Sequence, residues 1–193
     1  ELFKIISMDF IGPISPRSQD NAYICSTIDL CIGLCKLEAS KSCKCEDAVR
    51  ALEEWIFMFG CPDVLRVDNG THFSGAEFLR LCQVLGIKVI FGSPHNPRSQ
   101  AVVEGHHRGI NNYLRAYILS HAGSSSDWNH LVKKVQWCLN TTPSLKLGGF
   151  SPFNAVFGFR PRTDEDFRIS LAHDDHWCDF YTDRFERAQR IID

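Results

Sequence analysis

The sequence has no excess of charge of either sign. Its 193 residues carry 21 Lys and Arg against 23 Asp and Glu, a formal charge of −2. A domain that held nucleic acid by bulk attraction alone would be basic, so strong non-specific DNA binding is not expected of these residues by themselves. A site that concentrates carboxylates and draws in cations remains compatible with that balance. Also missing are a run of apolar residues long enough to span a bilayer and a stretch that reads as a signal peptide. Membrane insertion and secretion are therefore not expected. The nine cysteines form no paired spacing and no disulfide framework, which fits a reducing intracellular setting. Cys25, Cys31 and Cys35 fall among apolar residues and read as small hydrophobes. Zinc spacing is lacking too: Cys43 and Cys45 stand alone, and His173, His176 and Cys178 offer three ligands without an evident fourth. The H-x-E and P-C-x-x-C words of a zinc deaminase do not occur, nor does any internal repeat.

What is present is an ordinary globular composition, 44% hydrophobic and 23% charged, in a length that suits one well-buried domain. Residues 3–10, 21–29 and 31–38 read as three strands, with the last two close enough to pair antiparallel. Residues 46–59 place Ala48, Leu52, Trp55, Ile56 and Phe59 at helical spacing before Gly60. A short strand at 63–67, a helix at about 75–85 and a strand at 87–91 follow. The stretch 92–100 carries Gly, two Pro and small polar residues and reads as a loop. Helices are expected at about 101–121 and 127–140, the second capped by Asp127 or Ser126. Strands that alternate with helices in this order predict an α/β domain with a mixed sheet. The aromatics Trp55, Phe57, Phe59, Trp128 and Trp137 read as core or interface residues.

Three acids sit where an element meets a loop. Asp9 lies near the end of the first strand, Asp68 ends the fourth and opens a turn, and Glu104 falls in the first turn of the long helix. α/β folds place ligands at such an edge. Three carboxylates gathered there would repel one another unless cations neutralised them. Hard divalent cations take oxygen ligands and leave positions for a substrate phosphate. Two of them can serve both sides of a phosphoryl displacement. Taken singly, each acid reads equally as a turn or cap residue.

Spacing and neighbouring residues add to this. Between Asp68 and Glu104 lie 35 residues, and between Asp9 and Asp68 lie 58. That spacing resembles the D,D-35-E signature of retroviral and gypsy-class LTR-retrotransposon integrases. Met8-Asp9-Phe10-Ile11-Gly12-Pro13, Val67-Asp68-Asn69-Gly70-Thr71-His72-Phe73 and Asn96-Pro97-Arg98-Ser99-Gln100-Ala101-Val102-Val103-Glu104 resemble the family's three acidic segments. Leu139-Asn140-Thr141-Thr142-Pro143, Ser151-Pro152-Phe153, Phe157-Gly158 and Arg160-Pro161 resemble its later helices. The resemblance covers about residues 3–162, with 163–193 left as a helical extension or linker. It implies an RNase H-like fold: a five-stranded mixed sheet flanked by helices, with extra C-terminal helices. It implies a nuclear enzyme, assembled in the cytoplasm, that trims the 3′ ends of element DNA and joins them to target DNA. Asp9 would bridge two Mg²⁺ or Mn²⁺ ions, with Asp68 and Glu104 each completing one. Double-stranded DNA and further copies of the chain, as a dimer or tetramer, would be its partners.

Other residues are candidates for DNA contact. Arg108, Asn111 and Arg115 follow Glu104 at positions that share its helix face. Arg108 falls where related enzymes carry a basic residue, while solvation competes as the reading for all three. Gln100 resembles a family position, and His95 and Asn96 would shape the site that receives a DNA end. Asn69 could orient Asp68, although Asn-Gly suits a tight turn in any case. His72 reads as structural or exposed. Two departures from the family words stand out: Ala101 replaces Gly, and Gly105-His106-His107 replaces the more usual Arg and Asn. They leave open a degenerate or host-domesticated relative that binds DNA or protein without catalysis.

Overall fold

The computed structural model describes residues 1–92, 104–105, 107–112 and 128–161. The chain opens with strands β1 (Ile5–Ile11), β2 (Tyr23–Asp29) and β3 (Cys35–Ser40). Helix α1 (Cys45–Phe59), strand β4 (Val64–Val67), helix α2 (Ala76–Val84) and strand β5 (Lys88–Phe91) follow. Residues 104–105 and 107–112 are helical and are called α3. Helix α4 (Asn129–Thr141), a 3₁₀ turn at Leu145–Leu147 and helix α5 (Pro152–Phe157) come last. The sheet runs β3-β2-β1-β4-β5. β1 is antiparallel to β2 and β2 to β3, whereas β1, β4 and β5 are parallel to one another. This is the five-stranded mixed sheet that the pattern predicts. The expected extension at 163–193, with His173, His176 and Cys178, lies outside the described residues, and so does most of the predicted helix at 101–121.

Alternation along β1 sends its residues to two different layers. Ile6 and Met8 join Leu65, Val67 and Cys25 beneath α1 and α2. Helix α1 buries Ala48, Ala51, Leu52 and Trp55 into this layer, and α2 adds Phe78 and Cys82. The opposite face carries Ile24, Ile28, Cys35 and Leu37 under Ile110 of α3 and Trp128, Val132 and Val135 around α4. Among the aromatics, Trp55 and Trp128 are fully buried while Phe57 is exposed. Cys25 and Cys35 are buried, but Cys31 is exposed.

The third strand begins later than its apolar run predicts, at Cys35 rather than at residue 31. The cause is Asp29. Its buried carboxylate accepts hydrogen bonds from Phe3 N at 3.0 Å and Ile32 N at 2.9 Å, and its carbonyl accepts from Gly33 N at 2.9 Å. A side chain that binds nearby backbone in this way offers an alternative to the ladder, so the chain turns over residues 30–34.

Helix α4 seals the sheet's edge. An edge strand leaves alternate N–H and C=O groups free for another strand to pair with. Here Asn140 takes both groups of Cys35, accepting from its N–H and donating to its C=O, each at 2.8 Å. One helical turn earlier, Gln136 Oε1 accepts from Leu37 N at 2.9 Å, and Lys133 Nζ donates to Leu37 O at 2.8 Å. Side chains at 133, 136 and 140 thus stand in for a sixth strand. The start of α4 also differs from expectation. Asp127 and Ser126 lie outside the described residues, and the N-cap is Trp128, whose side chain makes no cap hydrogen bond. Ser18 supplies the acceptor for Asn129 N at 3.1 Å, and Trp128 Nε1 donates to Pro16 O at 2.8 Å. In α5 the Ser-Pro word is a helix start: Ser151 Oγ accepts from Asn154 N at 3.1 Å with Pro152 in the first turn.

Candidate active site

The parallel register of β1 and β4 pairs Ser7 with Arg66. Two residues further along each strand, that register sets Asp9 level with Asp68 at the carboxyl ends of neighbouring strands. Each lies on the face opposite the α1 and α2 layer. Asp9 is paired across the sheet with Ser26. Its Oδ1 accepts from Phe10 N at 2.7 Å. Burial holds its carboxyl above the ordinary carboxylate range, and the charge of Asp68 pushes the same way. His107, the Phe10 N–H and His72 oppose the rise. A half-buried carboxylate that feels the charge of an exposed one on the next strand forms a natural seat for positive charge.

Asp68 is gripped by its own turn. Its Oδ1 accepts from Gly70 N at 2.9 Å and lies 3.6 Å from His72 Nε2. The hydrogen bond comes from Gly70, not from Asn69. The His72 ring stands edge-on to Phe10 and Phe73, with centroids 4.9 and 4.2 Å away. Gly70 is glycine for reasons of space. Its φ is not in the left-handed region, but a Cβ there would come within 2.3 Å of His72 Cε1 and 2.8 Å of Asp68 Oδ1.

Glu104 is exposed in the first described turn of α3. Among the described residues no three His, Cys, Asp or Glu side chains gather into a group able to hold a metal ion. The structure brings Asp9 and Asp68 into electrostatic contact at the edge of the sheet, with Glu104 exposed on α3. The side chain of α3 that faces Asp9 is His107, three residues further on. Its Nε2 is 3.7 Å from Asp9 Oδ2 and 3.3 Å from Ser26 Oγ. Arg108 and Asn111 are exposed on the same helix. His95, Asn96, Gln100 and Arg115 lie outside the described residues. The sequence pattern does not single out Ser26, His72 or His107 as neighbours of the site, although His107 lies three residues from Glu104 in the word that departs from the family.

A mixed β3-β2-β1-β4-β5 sheet with helices on both faces, and acids at the ends of its two central parallel strands, is the RNase H-like architecture of integrase catalytic cores. The fold matches the crystal structure of the catalytic core domain of BIV integrase with a TM-score of 0.64 at 20% identity, covering 89% of this chain and 99% of that one. It also matches a chain of the simian T-cell lymphotropic virus intasome in complex with PP2A regulatory subunit B56 gamma. There the TM-score is 0.65 at 19% identity, covering 79% and 53%. Residues 3–97 match the model of the integrase core domain. The retrovirus-related Pol polyprotein from transposon 412 of Drosophila melanogaster is 32% identical over 81% of this chain. The Pro-Pol polyprotein of feline foamy virus is 26% identical over 78% of it. Residues 3–97 thus carry the integrase core domain match, and the chain as a whole is similar to retrovirus-related Pol polyproteins. It spans 12% of the length of either polyprotein.

Proposed function

We propose that this chain is the catalytic core of a polynucleotidyl transferase that trims DNA 3′ ends and joins them to target DNA. The observation that carries the reading is the pairing of Asp9 and Asp68. They are level on adjacent parallel strands, and Asp9 is held above its ordinary range first by burial and then by its neighbour's charge. An all-oxygen donor set of this kind fits hard divalent cations. Asp9, Asp68 and Glu104 are the residues that would hold two Mg²⁺ or Mn²⁺ ions. Bound there, the pair supplies Lewis-acid charge on both sides of the reacting phosphorus.

The chain's own residues prepare that arrangement. Asp9 sits on a strand that is paired on both sides, so its carboxylate is placed by the rigid centre of the sheet. Asp68 is fixed one residue beyond β4 by the Gly70 N–H. In this reading Glu104, exposed in the first described turn of α3, would join them from that helix. Arg108 and Asn111, exposed on that helix, would meet DNA phosphates and sugars, with His95, Asn96, Gln100 and Arg115 as further candidates. A near-neutral chain would rely on such local contacts and on other copies of itself for affinity. Double-stranded DNA, a dimer or tetramer, and action in the nucleus after cytoplasmic assembly belong to this reading.

The test is end processing and strand joining by the purified chain or its full-length parent, on DNA ends with Mn²⁺. Asp68→Asn and Glu104→Gln should each abolish both reactions. Activity that survives either substitution refutes the mechanism. A second reading, a degenerate or domesticated core that binds without catalysis, is suggested by Ala101 and Gly105-His106-His107, which depart from the family's words. It predicts no Mg²⁺ or Mn²⁺ binding at the carboxylates in a metal titration.

A further inference from the structure

Among the described residues, helix α3 meets the sheet through side chains one turn apart. Ile110 is fully buried among Ile24, Ile28 and Trp128, and His107 lies beside Asp9 and Ser26. Glu104 is one further turn towards the helix start. Residues three apart on a helix are neighbours on its surface, about 4.5 Å along the axis. The orientation of His107 therefore bears directly on where Glu104 is carried.

The contacts of His107 are directional. The Ser26 hydroxyl donates to the Asp9 carbonyl at 3.4 Å, which leaves the Ser26 oxygen to accept. His107 Nε2, 3.3 Å away, is then the donor. Its 3.7 Å approach to Asp9 Oδ2 is too long for a hydrogen bond but within the range of electrostatic attraction. One imidazole thus touches β2 through Ser26 and faces the carboxylate of β1. Ile110 alone would anchor the helix at a point and leave its rotation open. A second polar anchor one turn away removes that freedom. Close packing on the other side adds to it, since a Cβ at Gly109 would meet Leu139 Cδ2 of α4 at 3.0 Å.

We propose that His107 is a positioning residue that registers the Glu104 helix against Asp9. It acts on the site by fixing where Glu104 stands, without itself being a ligand. This inference rests on the metal-dependent reading above. Groups that orient metal ligands typically change metal affinity by 10–100-fold when removed.

The experiment measures Mn²⁺ binding calorimetrically on the full chain: wild type, His107→Leu, His107→Gln, Glu104→Gln and the His107→Leu/Glu104→Gln double variant. His107→Leu should weaken Mn²⁺ binding about tenfold while the melting temperature stays near that of wild type. His107→Gln, which keeps an N–H donor, should recover most of the loss. In the Glu104→Gln background His107→Leu should have no further effect, because the residue through which it acts is gone. If His107→Leu fails to fold, His107→Ala takes its place. Wild-type affinity in His107→Leu, or independent, multiplying effects in the double variant, overturns the inference alone. Absence of Mn²⁺ binding by the wild-type chain, or binding that survives both Asp9→Asn and Asp68→Asn, overturns the metal reading and this inference with it.

Discussion

Asn140 spans the free edge of β3 with both ends of its amide, and both of its bonds to Cys35 are buried. Replacing Asn140 with Leu keeps most of the volume and strands the Cys35 N–H and C=O at once. Cys35 is 1% exposed, so water does not readily take over. Each buried backbone group left without a partner costs about 1–3 kcal/mol. Asn140→Leu should therefore lower the unfolding free energy by about 2–5 kcal/mol, a large share of the ~5–15 kcal/mol typical of a domain. Asn140→Asp distinguishes the two bonds. It still accepts from the N–H but sets a charged oxygen against the Cys35 carbonyl, so it should lose a similar amount at neutral pH. The deficit should narrow in acid, where the protonated carboxyl can donate. Urea denaturation followed by Trp fluorescence gives both numbers, with the m-value as a check on two-state behaviour. A loss below about 1 kcal/mol for Asn140→Leu at unchanged m refutes the view that α4 is joined to the sheet through this amide.

Asp9→Asn should melt above wild type at pH 7 without divalent cations. Because burial raises the folded carboxyl above its unfolded value, the folded state binds the proton more tightly, and stability falls as pH rises between the two values. The penalty is complete above the folded value and absent below the unfolded one, so the two melting curves should converge near pH 3. Equal melting at pH 7 would contradict this. Gly70→Ala pushes a methyl into His72 and Asp68 and should cost about 1–3 kcal/mol together with Mn²⁺ affinity. Gly105→Ala, whose added carbon meets nothing within 4 Å, should be neutral or gain up to about 1 kcal/mol. Ser18→Ala removes the acceptor for Asn129 N and should cost about 1 kcal/mol, read by denaturation and by faster exchange of the Asn129 amide.

Much of the fold is legible in the sequence because its strands and helices are patterned for one buried face. Ile6 and Met8 against Asp9, and Ala48, Leu52 and Trp55 in α1, state their own periods. What was hidden depends on contacts between distant residues. The apolar run at 31–34 reads as strand, yet the Asp29 side chain turns it. The cap of α4 comes from Ser18, 111 positions earlier, and no local word announces it. At the site, Asp9 and Asp68 stand out because each ends a strand and because the 35 residues between Asp68 and Glu104 and the flanking words resemble the integrase signature. Helix periodicity pointed from Glu104 to Arg108 and Asn111, whereas the structure turns His107 towards Asp9. Which side of a helix faces the sheet depends on Ile110 and on the approach to Leu139, and a single segment does not encode either. His72 carries no local sign of its place, because its closeness to Asp68 depends on Gly70 leaving it room.

The partner of the Cys35 backbone is 105 residues further along the chain. At ordinary rates of synthesis, about 5–20 residues per second, the β2–β3 hairpin is made roughly 5–20 s before Asn140 leaves the ribosome. Throughout that interval the edge later closed by α4 is open on a nascent chain, next to apolar Ile24 and Ile28. On a polysome many copies would wait in this state side by side, each able to pair with the next. The sealed sheet of the finished domain thus implies a period during synthesis when a chaperone, or slow initiation, has to keep neighbouring chains apart.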